Sequence, residues 1–173
     1  TAEVLAPSEK VSHMQEFHRP SVSIDNKRER FQQMLSLVRG MEPIPTAVAH
    51  PCDKESLKGP VIAFHEGIIE PILVGPESRI RGVAEEFGID LHGIRIVNAK
   101  HSHDAAAIAV SLVRTGDAEA LMKGSLHTDE LMAEVVARAN GLRTARRISH
   151  VFLMNVPTYH RPLLITDAAI NIA

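Results

Sequence analysis

The sequence predicts an α/β fold: a doubly wound, mainly parallel sheet, followed by the start of a second subdomain. Three observations carry that expectation. Short runs such as Thr46–Ala49, Ile72–Val74, Ile94–Val97 and Ala120–Met122 are almost wholly apolar rather than alternating. Strands of that kind are buried on both faces, as in a parallel sheet covered by helices. Helical stretches with one apolar stripe separate these runs, and the strand–helix unit recurs about every 25 residues. After Gly141 the rhythm gives way to two strands joined by a proline-containing loop.

Taken in order, residues 1–23 read as a linker or tail, with Pro7, Pro20, His13 and His18 and no periodicity. A first helix is predicted over Asp25–Arg39, where Phe31, Met34, Leu35 and Val38 share one face and Gly40 follows as a stop. The strand Thr46–Ala49 closes at His50-Pro51. Asp53 then caps a second helix with the stripe Leu57, Val61, Phe64 and Ile68. After Ile72–Val74, Gly75-Pro76 opens a third helix, with Pro at the first position, where its missing N–H costs nothing. That helix ends at Phe87-Gly88. Beyond Ile94–Val97, a polar loop from Asn98 to Ser102 leads into a fourth helix burying Ala105, Ile108, Ala109, Leu112 and Val113, stopped by Gly116. Ala120–Met122 is the next strand. A fifth helix is predicted with Thr128 as N-cap, Asp129 and Glu130 in its first turn, and an end near Asn140-Gly141. The α/β domain is thus expected over 24–141. The second subdomain begins at 142 with a hairpin of Val151–Val156 and Leu163–Thr166, the turn being Pro157–Pro162.

Bulk properties exclude several partners. Of 173 residues, 45% are hydrophobic and 23% charged, enough for a packed core. A net charge of −2 gives no general attraction to nucleic acid or an anionic membrane, and 3% aromatics supply no stacking platform for single strands. No apolar run reaches membrane-spanning length. The lone Cys52 precludes an internal disulfide and suits a reducing, cytoplasmic compartment. The chain starts without Met and stops inside an apolar phrase, so a fragment of a longer polypeptide is expected.

In open α/β sheets ligands lie beyond the carboxyl ends of the strands. That rule selects His50-Pro51, Gly75-Pro76, Asn98–Ser102 and Lys123–Thr128, and the last two carry the most polar chemistry. In Lys123-Gly-Ser-Leu-His-Thr128 a strand ends in a cation and a glycine, and a helix then starts among hydroxyls. Free backbone N–H groups and the helix dipole converge there, which suits an anion. The plain alternative is an ordinary βα turn that binds nothing. As the last two loops follow successive strands, they are expected to face one cleft. No Gly-rich dinucleotide fingerprint, phosphate-binding loop or Gly-x-Ser-x-Gly elbow is present. Cys52 reads as an inert thiol rather than a nucleophile. His101 and His103 lack the carboxylate or Cys companions of a metal site, so no metal is assigned. Arg143, Arg146 and Arg147 form a basic patch, either a solvated surface or a set of phosphate contacts.

A sequence of phrases carries a resemblance over roughly residues 25–173. They are Glu70–Pro76, Ala109–Gly116, Leu121–Leu131, Gly141–Thr144, Arg147–Met154 and Leu164–Ile172. Together they resemble the phosphate acetyltransferase/phosphate butyryltransferase family. The opening Ala6–Val11 is similar to the linker of bifunctional members, in which an enoyl-CoA hydratase domain precedes the acyltransferase. The resemblance implies a layered fold like that of isocitrate and isopropylmalate dehydrogenases. It also implies reversible transfer of an acetyl or short acyl group between coenzyme A and inorganic phosphate, with no tightly bound cofactor. Acyl-CoA, phosphate and acyl phosphate are the implied partners, and a homo-oligomer the implied assembly. The family's catalytic Asp, with its neighbouring Ser and Arg, is expected beyond Ala173, so the fragment alone is expected to be inactive. Members often carry Arg or Lys where this sequence has Ala133. Lys123, Gly124, Ser125, His127 and Thr128 are therefore the expected substrate- and phosphate-binding residues, with Arg143 and Arg147 behind them. Asp167 reads as a turn cap. Two other readings stay open: a non-catalytic binding or interaction module of a fused enzyme, and a dehydrogenase of similar layering.

Overall fold

The structure is a computed structural model. It describes residues 25–156, 159 and 161–167; the linker or tail expected over 1–23 lies outside them. Four strands form one sheet: β1 (Ile44–Ala49), β2 (Ile69–Gly75), β3 (Arg95–Asn98) and β4 (Ala120–Lys123). Their order is β3-β2-β1-β4, and each pair is parallel. The chain steps outward from β1 to β2 to β3, then returns across the sheet to place β4 on the free side of β1. Right-handed crossovers put connections running in opposite directions on opposite faces. Accordingly α2 (Lys54–His65) and α3 (Glu77–Phe87) cover one face, where Leu57, Ile80 and Ala84 pack on Val48 and Leu73. The other face carries α4 (Ser102–Thr115) and α5 (Thr128–Val135), where Ala105, Ala106, Ala109 and Leu131 pack on Ala47, Ala49, Ile72 and Val74. Alternate residues of β1 thus enter opposite cores, and the uniformly apolar strand follows directly.

The helix ends show how local chemistry meets these expectations. Asp53 caps α2 as predicted: its Oδ1 accepts from Ser56 N–H at 2.8 Å, and Ser56 Oγ accepts from Asp53 N–H at 3.3 Å. Gly88 and Gly116 close α3 and α4 in the left-handed conformation. Pro76 is the N-cap of α3, not its first residue, and has no side-chain acceptor to offer; Asn98 Oδ1, from the end of β3, accepts the Glu77 N–H at 3.0 Å instead. Helix α5 begins at Thr128 and not after it, because His127 (φ −69°, ψ 150°) is still extended. It stops at Val135, short of Asn140, where Leu142 N–H bonds back to Val135 O and ends the spiral. Ile68 falls outside α2, its N–H bonded to Ala63 O. In α1 (Asp25–Val38) Leu35 is buried as expected, whereas Phe31 is 51% exposed.

Beyond α5, β5 (Val151–Met154) and β6 (Leu163–Thr166) pair antiparallel as a separate two-stranded ribbon. Asp167, at its end, adopts φ 55° and accepts a hydrogen bond from Ser149 Oγ at 2.8 Å.

Candidate functional site

The reversal of strand order creates a switch point between β1 and β4. In open α/β sheets that is where a crevice opens beyond the carboxyl ends. Ala49 and Lys123 are register partners, so His50-Pro51-Cys52 and Gly124-Ser125 leave the sheet side by side. Strands β3 and β4 lie at opposite edges. Succession along the chain therefore does not make neighbours of the loops after them, as the sequence had implied. Lys123–Thr128 faces the turn after β1, while Asn98 serves α3.

The two turns are locked together through backbone. Gly124 N–H bonds Ala49 O at 2.8 Å and Ser125 N–H bonds His50 O at 2.9 Å. A Cβ at Gly124 would press on both carbonyl oxygens, so this close approach admits only glycine. Ser125 Oγ sits at the centre, 2.8 Å from His50 O, 3.2 Å from Cys52 N and 3.1 Å from His50 Nδ1. A hydroxyl has one hydrogen and two acceptor sites. The carbonyl can only accept and the amide can only donate. With the hydroxyl hydrogen on His50 O, the remaining bond requires Nδ1 to carry the imidazole proton, leaving Nε2 as an acceptor. His50 itself is 8% exposed and held at φ 55°, a left-handed conformation uncommon for a side-chain-bearing residue. Burial lowers its pKa below 6.5, helped by the charge of Arg79; Glu130 and Asp53 pull the other way. Burial also pushes the Cys52 thiol up to about 11, which removes the thiolate a nucleophile needs.

Around this hub stand the other residues singled out from sequence. Lys123 is exposed, its Nζ 3.3 Å from Gly124 O. His127 and Thr128 are exposed at the start of α5, and His127 makes no side-chain cap bond to the first-turn N–H groups. Lys123, Gly124, Ser125, His127 and Thr128 thus share one rim. Two residues outside the expected binding set adjoin it: His50, whose turn the carboxyl-end rule had selected, and Glu130 in the first turn of α5. Glu130 Oε1 lies 3.3 Å from His103 Nε2 on α4, and its buried Oε2 has no partner. No spacing signalled that pair, because it depends on how α4 packs against α5. His101 accepts the Asp104 N–H at 3.2 Å, which makes it the N-cap of α4. Arg143 and Arg147 are not brought to this rim. With Arg146 they line a cavity of about 610 Å³ beyond the C-terminal end of α5. At ~1.5 Å per residue the helix separates the two places by roughly 10 Å.

Residues 100–173 match the sequence family described as Phosphate acetyl/butaryl transferase. Over those residues the chain is similar to a phosphate acetyl/butaryl transferase domain. It is 57% identical over 143 residues to a phosphate acetyltransferase of Rhizobium meliloti, a match that covers 83% of this chain and 45% of that protein. It is 52% identical over 148 residues to the phosphate acetyltransferase of Rickettsia prowazekii (strain Madrid E), covering 86% of this chain and 42% of that protein. A phosphate butyryltransferase of Clostridium acetobutylicum is 35% identical over 141 residues, covering 82% and 47%. The chain thus spans under half the length of these curated relatives. Its fold is that of a phosphotransacetylase from Streptococcus pyogenes, with a TM-score of 0.68 at 20% identity over 87% of this chain and 53% of that one. The EutD phosphotransacetylase from Staphylococcus aureus gives 0.61 at 14% identity, over 81% and 51%. Among the described residues no helix is long and apolar enough to cross a membrane.

Proposed function

We propose that the full-length protein transfers an acetyl or short acyl group reversibly between coenzyme A and inorganic phosphate. In this reading the chain supplies the wall that holds phosphate. The observation that carries it is the Gly124–Ser125–His50 lock. It fixes Lys123 and the uncapped start of α5 on one rim at the switch point. In the direction of acyl-CoA synthesis, the CoA thiolate attacks the acyl-phosphate carbonyl. A C–S bond forms, the C–O bond to phosphorus breaks, and phosphate leaves with the electron pair. Lys123 and the first-turn N–H groups of α5 are suited to stabilise the charge gathering on that leaving group. Holding thiol and acyl phosphate in one crevice supplies much of the rate. The base that takes the thiol proton is assigned outside this chain.

The β5–β6 ribbon fits the start of a second subdomain at 142, following an α/β domain over 24–141. The proposed setting is a homo-oligomer in the cytoplasm, a compartment that suits a reduced Cys52. The test is formation of acetyl-CoA or butyryl-CoA from CoA and the acyl phosphate by the full-length protein. Absence of turnover with either donor, in protein that is folded, would overturn the reading. The second reading is a non-catalytic CoA- or acyl-phosphate-binding module. Heat of CoA binding without turnover would select it.

A further inference from the structure

At the amino ends of the strands, away from the phosphate rim, lies a second cavity of about 150 Å³. Its apolar wall is Pro45, Pro71 and Ile72, and its charged groups are Glu70, Arg95 and Asp117. Strand register explains the grouping. Ala47 and Ile72 face the α4 core, so Pro45 and Glu70, two residues earlier on β1 and β2 and paired with each other, point to the same side. Arg95 is the register partner of Ile72 and joins them. Asp117 arrives from the turn between α4 and β4, where Thr115 Oγ1 donates to Asp117 Oδ2 at 2.6 Å. Glu119 N–H bonds Pro45 O at 2.8 Å, which seats that turn against β1. Among the described residues none of the three charged side chains forms an ion pair, so one guanidinium and two carboxylates stand apart around one small cavity. The C-terminal end of α4, closed by Gly116, adds partial negative charge beside Asp117.

We infer that this cavity binds a small zwitterion of the α-amino-acid class. Arg95 takes the carboxylate as a forked donor, Glu70 and Asp117 take the ammonium, and Pro45, Pro71 and Ile72 cover a short apolar side chain. At ~30 Å³ per water-sized atom the volume holds roughly five non-hydrogen atoms, the size of glycine or alanine. An inorganic anion would face two carboxylates, and a simple amine would leave the guanidinium unanswered; a zwitterion matches both. Along β1, Pro45 lies roughly 16 Å from His50 at ~3.3 Å per residue, beyond the reach of one ligand of that size. The site is therefore separate from the phosphate rim and does not rest on the acyltransferase reading.

The test is calorimetry of the full-length protein with glycine and L-alanine, and with ethylamine and propionate, each of which carries only one of the two charges. The variants are Arg95→Gln and Glu70→Gln, with thermal unfolding to confirm that both fold. The expected result is heat of binding for glycine or L-alanine, about tenfold or more weaker for ethylamine and propionate, and weakened about tenfold or more in each variant. No heat with either amino acid overturns the inference. Binding that is unchanged in either folded variant also overturns it, because both charges are required. Ethylamine or propionate binding as tightly as L-alanine shows a single-charge site and overturns it too. Each of these outcomes leaves the acyltransferase reading untouched, since none is measured through turnover.

Discussion

Ser125 Oγ has one hydrogen to give and three partners to satisfy, and this fixes much of the site. Ser125→Ala would leave His50 Nδ1–H without an acceptor in a crowded turn and would remove the hydroxyl's bonds to Cys52 N–H and His50 O. The expected cost is about 1–3 kcal/mol, read as a lower urea midpoint with an unchanged slope. His50 sets a pH dependence whose sign follows from burial. Its folded pKa lies below the ordinary 6.5, so between the two values the unfolded chain binds more protons. This contribution is complete above about 6.5 and is lost as pH falls through the window. Urea midpoints should therefore decline as pH drops from about 7.5 to about 5, and the decline should be shallower in His50→Gln. An equal decline in both proteins would remove His50 from the account. At this scale Lys123, Gly124 and Ser125 were legible, because a cation, a glycine and a hydroxyl between strand and helix are meaningful in sequence. Of His50 only the place at a strand end was legible, since its bond to Ser125 exists only once β4 lies beside β1.

Elements were read with differing success, and the caps explain why. Asp53 and Ser56 are three residues apart and form a capping box within one segment, so the start of α2 could be read directly. The start of α3 depends on Asn98, which is 21 residues away. No local pattern reports a cap that arrives from the next strand. Asp53→Ala and Asn98→Ala should each cost about 1 kcal/mol, the first through α2 and the second through α3. Hydrogen exchange would separate them: amides of 54–57 should lose protection in one variant and amides of 77–80 in the other. Loss of protection across both helices in either variant would mean that the caps do not act locally. The end of α5 was misjudged because Val136 and Leu142 continue the apolar pattern while their backbone bonds already belong to a turn.

Across the whole molecule, the parallel sheet was legible from its uniformly apolar strands, but its order was not. Strand order decides which loops meet, and here it moved the crevice from the β3–β4 loops to the β1–β4 turns. The length of α5, rather than strand order, sets Arg143 and Arg147 apart from the Lys123–Thr128 rim. Strand β1 is paired on both sides and packed on both faces, whereas β5 and β6 pair only with each other and are largely exposed. Native-state exchange should therefore leave β1 amides protected longest and release the β5–β6 ribbon first; a ribbon as protected as β1 would contradict this. The central claim is that the Lys123–Thr128 rim holds the phosphate of the acyl donor. Steady-state acyl transfer by the full-length Lys123→Met variant tests it most directly. The account predicts a KM for acetyl phosphate raised about tenfold or more, with KM for CoA and the thermal midpoint unchanged. An unchanged KM for acetyl phosphate in a folded, active variant would contradict it.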